Sequence, residues 1–205
     1  GQTYQTGADP WQLFANWALL ILPWVLVGRF APLWLVWIAL INLSIFLYFS
    51  VFRGIWGIFT STDSQLLLAF AFNTMALAMW ELAVRRYAWL AQRWAVRLLA
   101  IASGSTATVL MLQTVFDWHD RSGWSFVIYP LWVAGIYFIY RHKIQDLFML
   151  AGASLSVIVI VTALLARALL VHGDAGGFLL IAMAVIAMSA AAAIWLRRVH
   201  AEQMS

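Results

Sequence analysis

The sequence has 205 residues, of which 65% are hydrophobic and only 10% charged, and its formal net charge is +4. A soluble domain carries about 25% charged residues, so this chain has too few charges to cover the surface of a water-soluble fold. It contains no cysteine, which excludes disulfides, thiolate metal ligands and a cysteine nucleophile. The composition therefore predicts an integral membrane protein.

Apolar segments of membrane-spanning length recur along the whole chain. A helix crosses a bilayer with about 20 mostly apolar residues. The sequence thus predicts an all-α integral membrane protein, a bundle of about seven transmembrane helices that forms a single polytopic domain over 1–205. The predicted spans are about 10–28, 31–52, 64–84, 95–116, 125–140, 147–170 and 177–196, of which the fifth is the shortest.

Residues that start or stop helices lie at the edges of these segments. Asp9 can cap the first free N–H groups of a helix, and Pro10 suits a first turn, where its missing N–H does no harm. The stretch 28–32 (GRFAP) predicts a tight turn between the first two spans.

Lysine and arginine predict the orientation. With seven spans, three of the 12 Lys and Arg residues fall on the side of the N-terminus and nine on the other. The nine are Arg29, Arg85, Arg86, Arg93, Arg97, Arg141, Lys143, Arg197 and Arg198. Because cytoplasmic loops carry an excess of Lys and Arg, we expect the N-terminus outside and the C-terminus in the cytoplasm.

Few polar side chains lie inside the spans. Glu81 precedes Arg85 by four residues, a spacing that favours an ion pair at the end of a helix. Alternatively, Glu81 is an ion or proton ligand, with Asn73 on about the same face. The small and hydroxyl residues of the spans predict close helix packing. The alternative to packing is a polar path for a substrate, lined by Asn42, Asn73, Thr106 and Thr108.

The residues that would hold cofactors are poorly placed. We place all four histidines, His119, His142, His172 and His200, in loops, where they cannot ligate a haem inside the bilayer. The single lysine, Lys143, also falls in a loop, which argues against a retinal Schiff base. The loop 117–120 (DWHD) has metal-ligand types, but three ligands in four residues rarely converge. We predict no cofactor and no metal site.

Basic and aromatic residues alternate after the third span. Arg86, Arg93 and Arg97 are spaced by seven and four residues, which would place them on one helical stripe. Such a stripe suits anionic lipid headgroups on the cytoplasmic side of the bilayer. We expect no nucleic-acid binding, because the high isoelectric point reflects the positive-inside bias.

Four tryptophans fall deeper in the spans: Trp17, Trp34, Trp37 and Trp132. Helix packing or lipid contact explains such positions, and a pigment or quinone site is the alternative.

The first 23 residues resemble a known family. Residues 1–14 (GQTYQTGADPWQLF), followed by Trp17–Leu20 and Leu22-Pro23, are similar to predicted bacterial inner-membrane proteins classed as a domain of unknown function. The resemblance implies a multi-pass protein of the bacterial inner membrane, with a cytoplasmic helical segment and about three further spans upstream. We therefore expect the chain to be part of a longer protein. The family brings no established activity, and Tyr4, Gln5 and Asp9 would be its specific segment.

Two functional hypotheses follow. The first is a non-enzymatic scaffold, assembly factor or accessory subunit that acts through membrane protein partners, because no nucleophile–base pair is visible. The second is a transporter or channel for a small polar or lipid-like solute, with Glu81 as the ion-coupling group beside the polar path.

Overall fold

The computed structural model describes residues 9–52, 62–117, 123–169 and 175–204. These residues are 91% helical and include no strand, so the all-α prediction is confirmed. The α-helices of the described part are α1 (Pro10–Val27), α2 (Ala31–Phe52), α3 (Thr62–Val84), α4 (Arg93–Phe116), α5 (Ser125–Phe138), α6 (Leu147–Leu169) and α7 (Ala175–Met204). A short 3-10 helix, Ala88–Leu90, lies between α3 and α4.

Six of these helices are long and apolar enough to cross a membrane: α1, α2, α3, α4, α6 and α7. Their outer faces carry large apolar side chains, among them Leu19, Trp24 and Ile186, which are 67%, 68% and 69% exposed. A surface of this kind is unfavourable in water and is satisfied by lipid hydrocarbon. The structure therefore fits a multi-pass membrane protein.

The fifth predicted span differs from the others. Its α-helix, α5, has 14 residues and is followed by a π-helical turn at Ile139–Lys143. An α-helix of that length is about 21 Å long, which is shorter than the hydrocarbon core of about 30 Å. The seventh membrane crossing therefore stays a prediction.

Two histidines lie in helical structure, so their predicted place in loops is wrong. α7 continues to Met204, eight residues beyond the predicted end of the seventh span, and includes His200. His142 lies in the π-helical turn, as does Lys143. His119 and His172 are outside the described residues.

The chain divides into two compact units, Gly1–Leu99 and Ala100–Ser205, with the boundary inside α4. In the first unit, α1 and α2 pack along each other and α3 packs against α2. Its core includes Val25 and Ile38. In the second unit, α6 packs against both α5 and α7, over a core that includes Leu150 and Val199.

The turn between α1 and α2 has the predicted location. Gly28 continues the helical conformation, and its N–H donates to the carbonyl of Trp24 at 2.7 Å. Arg29 then reverses the chain with a φ of 45°. An L-residue is unfavourable in this left-handed region, where glycine is the usual choice.

The C-terminal end of α7 is attached to the π-helical turn. Glu202 forms an ion pair with Arg141, and about two helical turns earlier in α7 the ring of Trp195 stacks on Tyr137 of α5 with centroids 6.0 Å apart. The π-helical turn therefore helps to hold the last helix in place.

Asp9 and Asp146 each directly precede a helix, but only Asp146 of these two caps its helix with its side chain. Asp9 occupies the N-cap position of α1 but makes no side-chain cap bond, so its predicted capping role is wrong. Asp146 precedes α6, is buried, and its Oδ1 accepts from the N–H of Phe148 at 3.1 Å. Asp146 therefore satisfies a free donor at the start of α6.

Because Asp146 caps its helix and Asp9 does not, their substitutions should differ in their effect on stability. Asp146→Ala should lower the free energy of unfolding by about 1 kcal/mol, because the N–H of Phe148 in the first turn of α6 loses its acceptor. Thermal unfolding in mild detergent measures the change. Asp9→Ala is the matched control and should leave the midpoint unchanged, and equal effects of the two substitutions would contradict the assignment.

Candidate functional site

Two asparagines of the predicted polar path contact each other in the first unit. Asn42 on α2 donates from Nδ2 to Oδ1 of Asn73 on α3 at 3.1 Å, and Asn73 donates back to Oδ1 of Asn42 at 2.7 Å. The second hydrogen of each Nδ2 goes to a carbonyl of its own helix, that of Ile38 for Asn42 and that of Ala69 for Asn73. All four amide hydrogens are therefore used between and within the two helices.

Glu81 pairs with an arginine that the sequence analysis assigned to lipid binding. Its Oε1 lies 3.3 Å from Nη1 of Arg93, the first residue of α4. The side chains are only 14% and 34% exposed, respectively. Arg93 places a positive charge at a helix N-terminus, where a cation is unfavourable, and Glu81 offsets that charge. The ion pair thus connects the end of α3 to the start of α4.

The basic stripe is not continuous, so this part of the prediction is wrong. α3 ends at Val84 and α4 begins at Arg93, so Arg86 lies in the connection between them. Arg93 and Arg97 share a face at the start of α4, and Arg97 is exposed. The predicted spacing assumed one helix, but the chain turns between residues 84 and 93.

Thr108 belongs to a group of three hydroxyls in the second unit, which we call the hydroxyl chain. Ser156 Oγ on α6 lies 2.7 Å from Thr108 Oγ1 on α4 and 2.8 Å from Tyr129 OH on α5. Thr108 itself donates to the carbonyl of Gly104 at 2.7 Å. Three helices are thereby joined through the single side chain of Ser156.

The number of protons gives the hydroxyl chain a direction. Each hydroxyl has one hydrogen to donate. Because Thr108 donates to Gly104, Ser156 is the donor to Thr108, and Tyr129 is then the donor to Ser156. Every proton of the hydroxyl chain is therefore committed within the protein.

Thr106, the remaining residue of the predicted path, bonds to its own helix. Its Oγ1 lies 2.9 Å from the carbonyl of Ala102 and 2.8 Å from that of Ser103. The two asparagines belong to the first unit and the two threonines to the second, and each of the four is hydrogen-bonded within its own unit.

Further polar contacts connect α4 to α5. Trp132 donates from Nε1 to Ser103 Oγ at 3.0 Å, and Thr114 donates to Ser125 Oγ at 2.9 Å. The ring of Trp132 lies so close to Gly104 that a Cβ there would be 3.0 Å from Cη2. The deep Trp132 therefore serves helix packing, one of the two expected uses.

Each unit contains a large apolar groove. The tryptophan groove, about 440 Å³, lies in the first unit among α2, α3 and the 3-10 helix, with Trp34, Trp37, Trp80 and Trp89 in its walls. The second groove, about 600 Å³, lies among α4, α5 and α6. Gly104, Thr108, Trp132, Gly152 and Ser156 contribute to its walls, so we call it the hydroxyl groove.

Several predicted positions are not part of these sites. Asp9 is described only as the residue before α1, and Tyr4 and Gln5 lie outside the described residues. His119 lies outside them as well. Within the described ranges, no group of three or more metal-ligating side chains occurs.

Tyr129, Ser156 and Asp146 were not predicted as polar partners. Asp146 had a usable signal, because an aspartate directly before an apolar run is typical of a helix N-cap. Ser156 is one of the small and hydroxyl residues that we expected at helix contacts, but its partners could not be assigned. Tyr129 had no signal, since its contact depends on how separate helices pack.

Comparisons with known proteins do not assign the chain to a family. No protein family, curated protein or solved structure matches the chain.

The asparagine pair can be tested with a double-mutant cycle of Asn42→Ala and Asn73→Ala. The coupling between the two substitutions should be about 1 kcal/mol in the free energy of unfolding, as for hydrogen bonds between membrane helices. Unfolding in mixed detergents measures it. Strictly additive effects would show that the two amides do not stabilise each other.

For the hydroxyl chain we expect the single and double variants to have nearly the same stability. Ser156→Ala should cost about 2 kcal/mol, because it leaves the buried Tyr129 hydroxyl without its acceptor. Adding Tyr129→Phe should cost little more, since the orphaned group is then removed. Thr106→Ala is the control and should be nearly neutral. A double variant far less stable than Ser156→Ala alone would argue against this network.

Proposed function

We propose that this protein is a non-enzymatic scaffold, assembly factor or accessory subunit of the bacterial inner membrane that acts through other membrane proteins. In this proposal it belongs to the family that its first 23 residues resemble. Seven helices cross the bilayer, with the N-terminus outside and the C-terminus in the cytoplasm, and α5 crosses together with the π-helical turn.

The observation that carries the proposal is the use of the polar side chains inside the helices. Asn42 and Asn73 satisfy each other, and the hydroxyl chain commits every proton to a neighbour within the second unit. Polar groups so used hold helices together rather than line a hydrated path. This supports a structural role for these side chains.

α7 supports the partner role. It is the least covered of the six apolar helices. Its exposed positions include the small residues Ala182, Ala187, Ser189, Ala190 and Ala193. Small residues let a second helix approach closely in a membrane, so this side of α7 suits partner helices.

The second candidate is a transporter for a lipid-like solute. The specific observation that favours it is the pair of apolar grooves, because their volumes of about 440 and 600 Å³ lie in the range of ligand sites. Flux of a labelled phospholipid between the leaflets of proteoliposomes would support transport. Flux at the level of protein-free liposomes would contradict the transporter candidate.

The scaffold role predicts how variants complement a strain that lacks the gene. Glu81→Gln and Asp117→Asn should restore the wild-type phenotype, because in a scaffold neither carboxylate takes part in catalysis or ion transport. Asn73→Leu should lose function only in proportion to the folded protein left in the membrane, which immunoblotting of membrane fractions measures. Loss of function by Glu81→Gln at wild-type protein levels would contradict the proposal.

A further inference from the structure

The tryptophan groove has the length of one membrane leaflet. Along α3 its wall is formed by residues spaced three or four apart, Phe72, Met75, Ala76, Met79, Trp80 and Ala83. From the first to the last of these the helix rises about 16 Å. Half of the hydrocarbon core of a bilayer is about 15 Å. An extended chain lying in the groove would therefore reach from the membrane surface to the bilayer centre.

The walls suit an acyl chain. Met75 and Met79 are 57% and 62% exposed, so the groove is open on the side where lipid would lie. Its lining is almost wholly aromatic and aliphatic. Methionine side chains adapt to irregular apolar partners, which favours a flexible chain over a rigid ring system.

Two exposed cations stand at one end of the groove. The N–H groups of Arg86 and Tyr87 both donate to the carbonyl of Ala83 at 2.9 Å, so the chain makes one tight turn directly after α3. Ala83 and Tyr87 line the groove, and Arg85 and Arg86 lie between them in sequence. Both arginines are exposed. An anionic group at this end would meet two positive charges.

One wall residue has an unused donor. The Nε1 of Trp34 is buried and has no hydrogen-bond partner among the residues that the structure describes. By contrast, Trp37 donates to the carbonyl of Ala18 and Trp80 to that of Leu90. An ester carbonyl, which lies between the headgroup and the chain of a phospholipid, is an acceptor that matches an indole N–H in the wall of the groove.

We infer that the tryptophan groove binds one anionic glycerophospholipid. One acyl chain lies along α3, and the phosphate contacts Arg85 and Arg86. This is a site for a single lipid, distinct from the general attraction of basic residues to the membrane surface. We propose this site in place of the predicted stripe of Arg86, Arg93 and Arg97, because Arg93 pairs with Glu81.

The test uses the full chain reconstituted into bilayers of equal parts phosphatidylglycerol and phosphatidylcholine, then extracted in mild detergent. Native mass spectrometry counts the retained lipids. Wild type should retain one phosphatidylglycerol in preference to phosphatidylcholine. The double substitution Arg85→Gln, Arg86→Gln should weaken retention about 30-fold, since each cation near an anionic headgroup contributes a factor of about five. Arg197→Gln, Arg198→Gln is the matched control and should retain the lipid.

A second pair of variants tests the position of the acyl chain. Ala76→Phe fills the groove and should release the lipid, whereas Ala78→Phe, on an exposed position of the same helix, should not. Trp34→Phe keeps an aromatic ring at this position, removes the donor and should weaken retention. Thermal unfolding shows that each variant is folded.

Three results would overturn the inference. They are equal retention of the two lipids by wild type, equal loss in the two arginine double variants, and full retention by both Ala76→Phe and Trp34→Phe.

Discussion

The absence of water inside a bilayer is the constraint on which this structure depends. A polar group that leaves water without gaining a partner costs several kcal/mol in hydrocarbon, so partners within the protein are strongly favoured. Helices meet this demand for the backbone, which explains why the described chain is almost entirely helical. The same demand acts on every polar side chain that the apolar helices carry.

The two units meet this demand with different chemistry. In the first, a pair of amides joins α2 to α3, and an ion pair joins the end of α3 to the start of α4. In the second, hydroxyls and one indole join α4, α5 and α6. Amides can exchange two hydrogen bonds in one pair, whereas a hydroxyl has one proton, so the second unit needs a series of groups to connect three helices.

The positions of the helices could be predicted because hydropathy is a local property of the chain. α1 and α2 begin at the predicted residues, where Asp9-Pro10 and the 28–32 turn mark the boundaries. The partner of Glu81 could not be predicted, because spacing on one helix favours Arg85 whereas the chain reversal brings Arg93 close. The link from Ser156 to Thr108 spans 48 positions in sequence and depends on tertiary packing alone.

The direction of the hydroxyl chain limits what it can conduct. Proton transfer along a row of hydroxyls needs a terminal group that can accept a proton and pass it on. Here the row ends at the carbonyl of Gly104, which is a backbone amide and has no useful basicity near neutral pH. The row from Tyr129 to Thr108 is therefore closed at one end, and with these bonds in place it offers no group that would pass a proton on beyond Gly104.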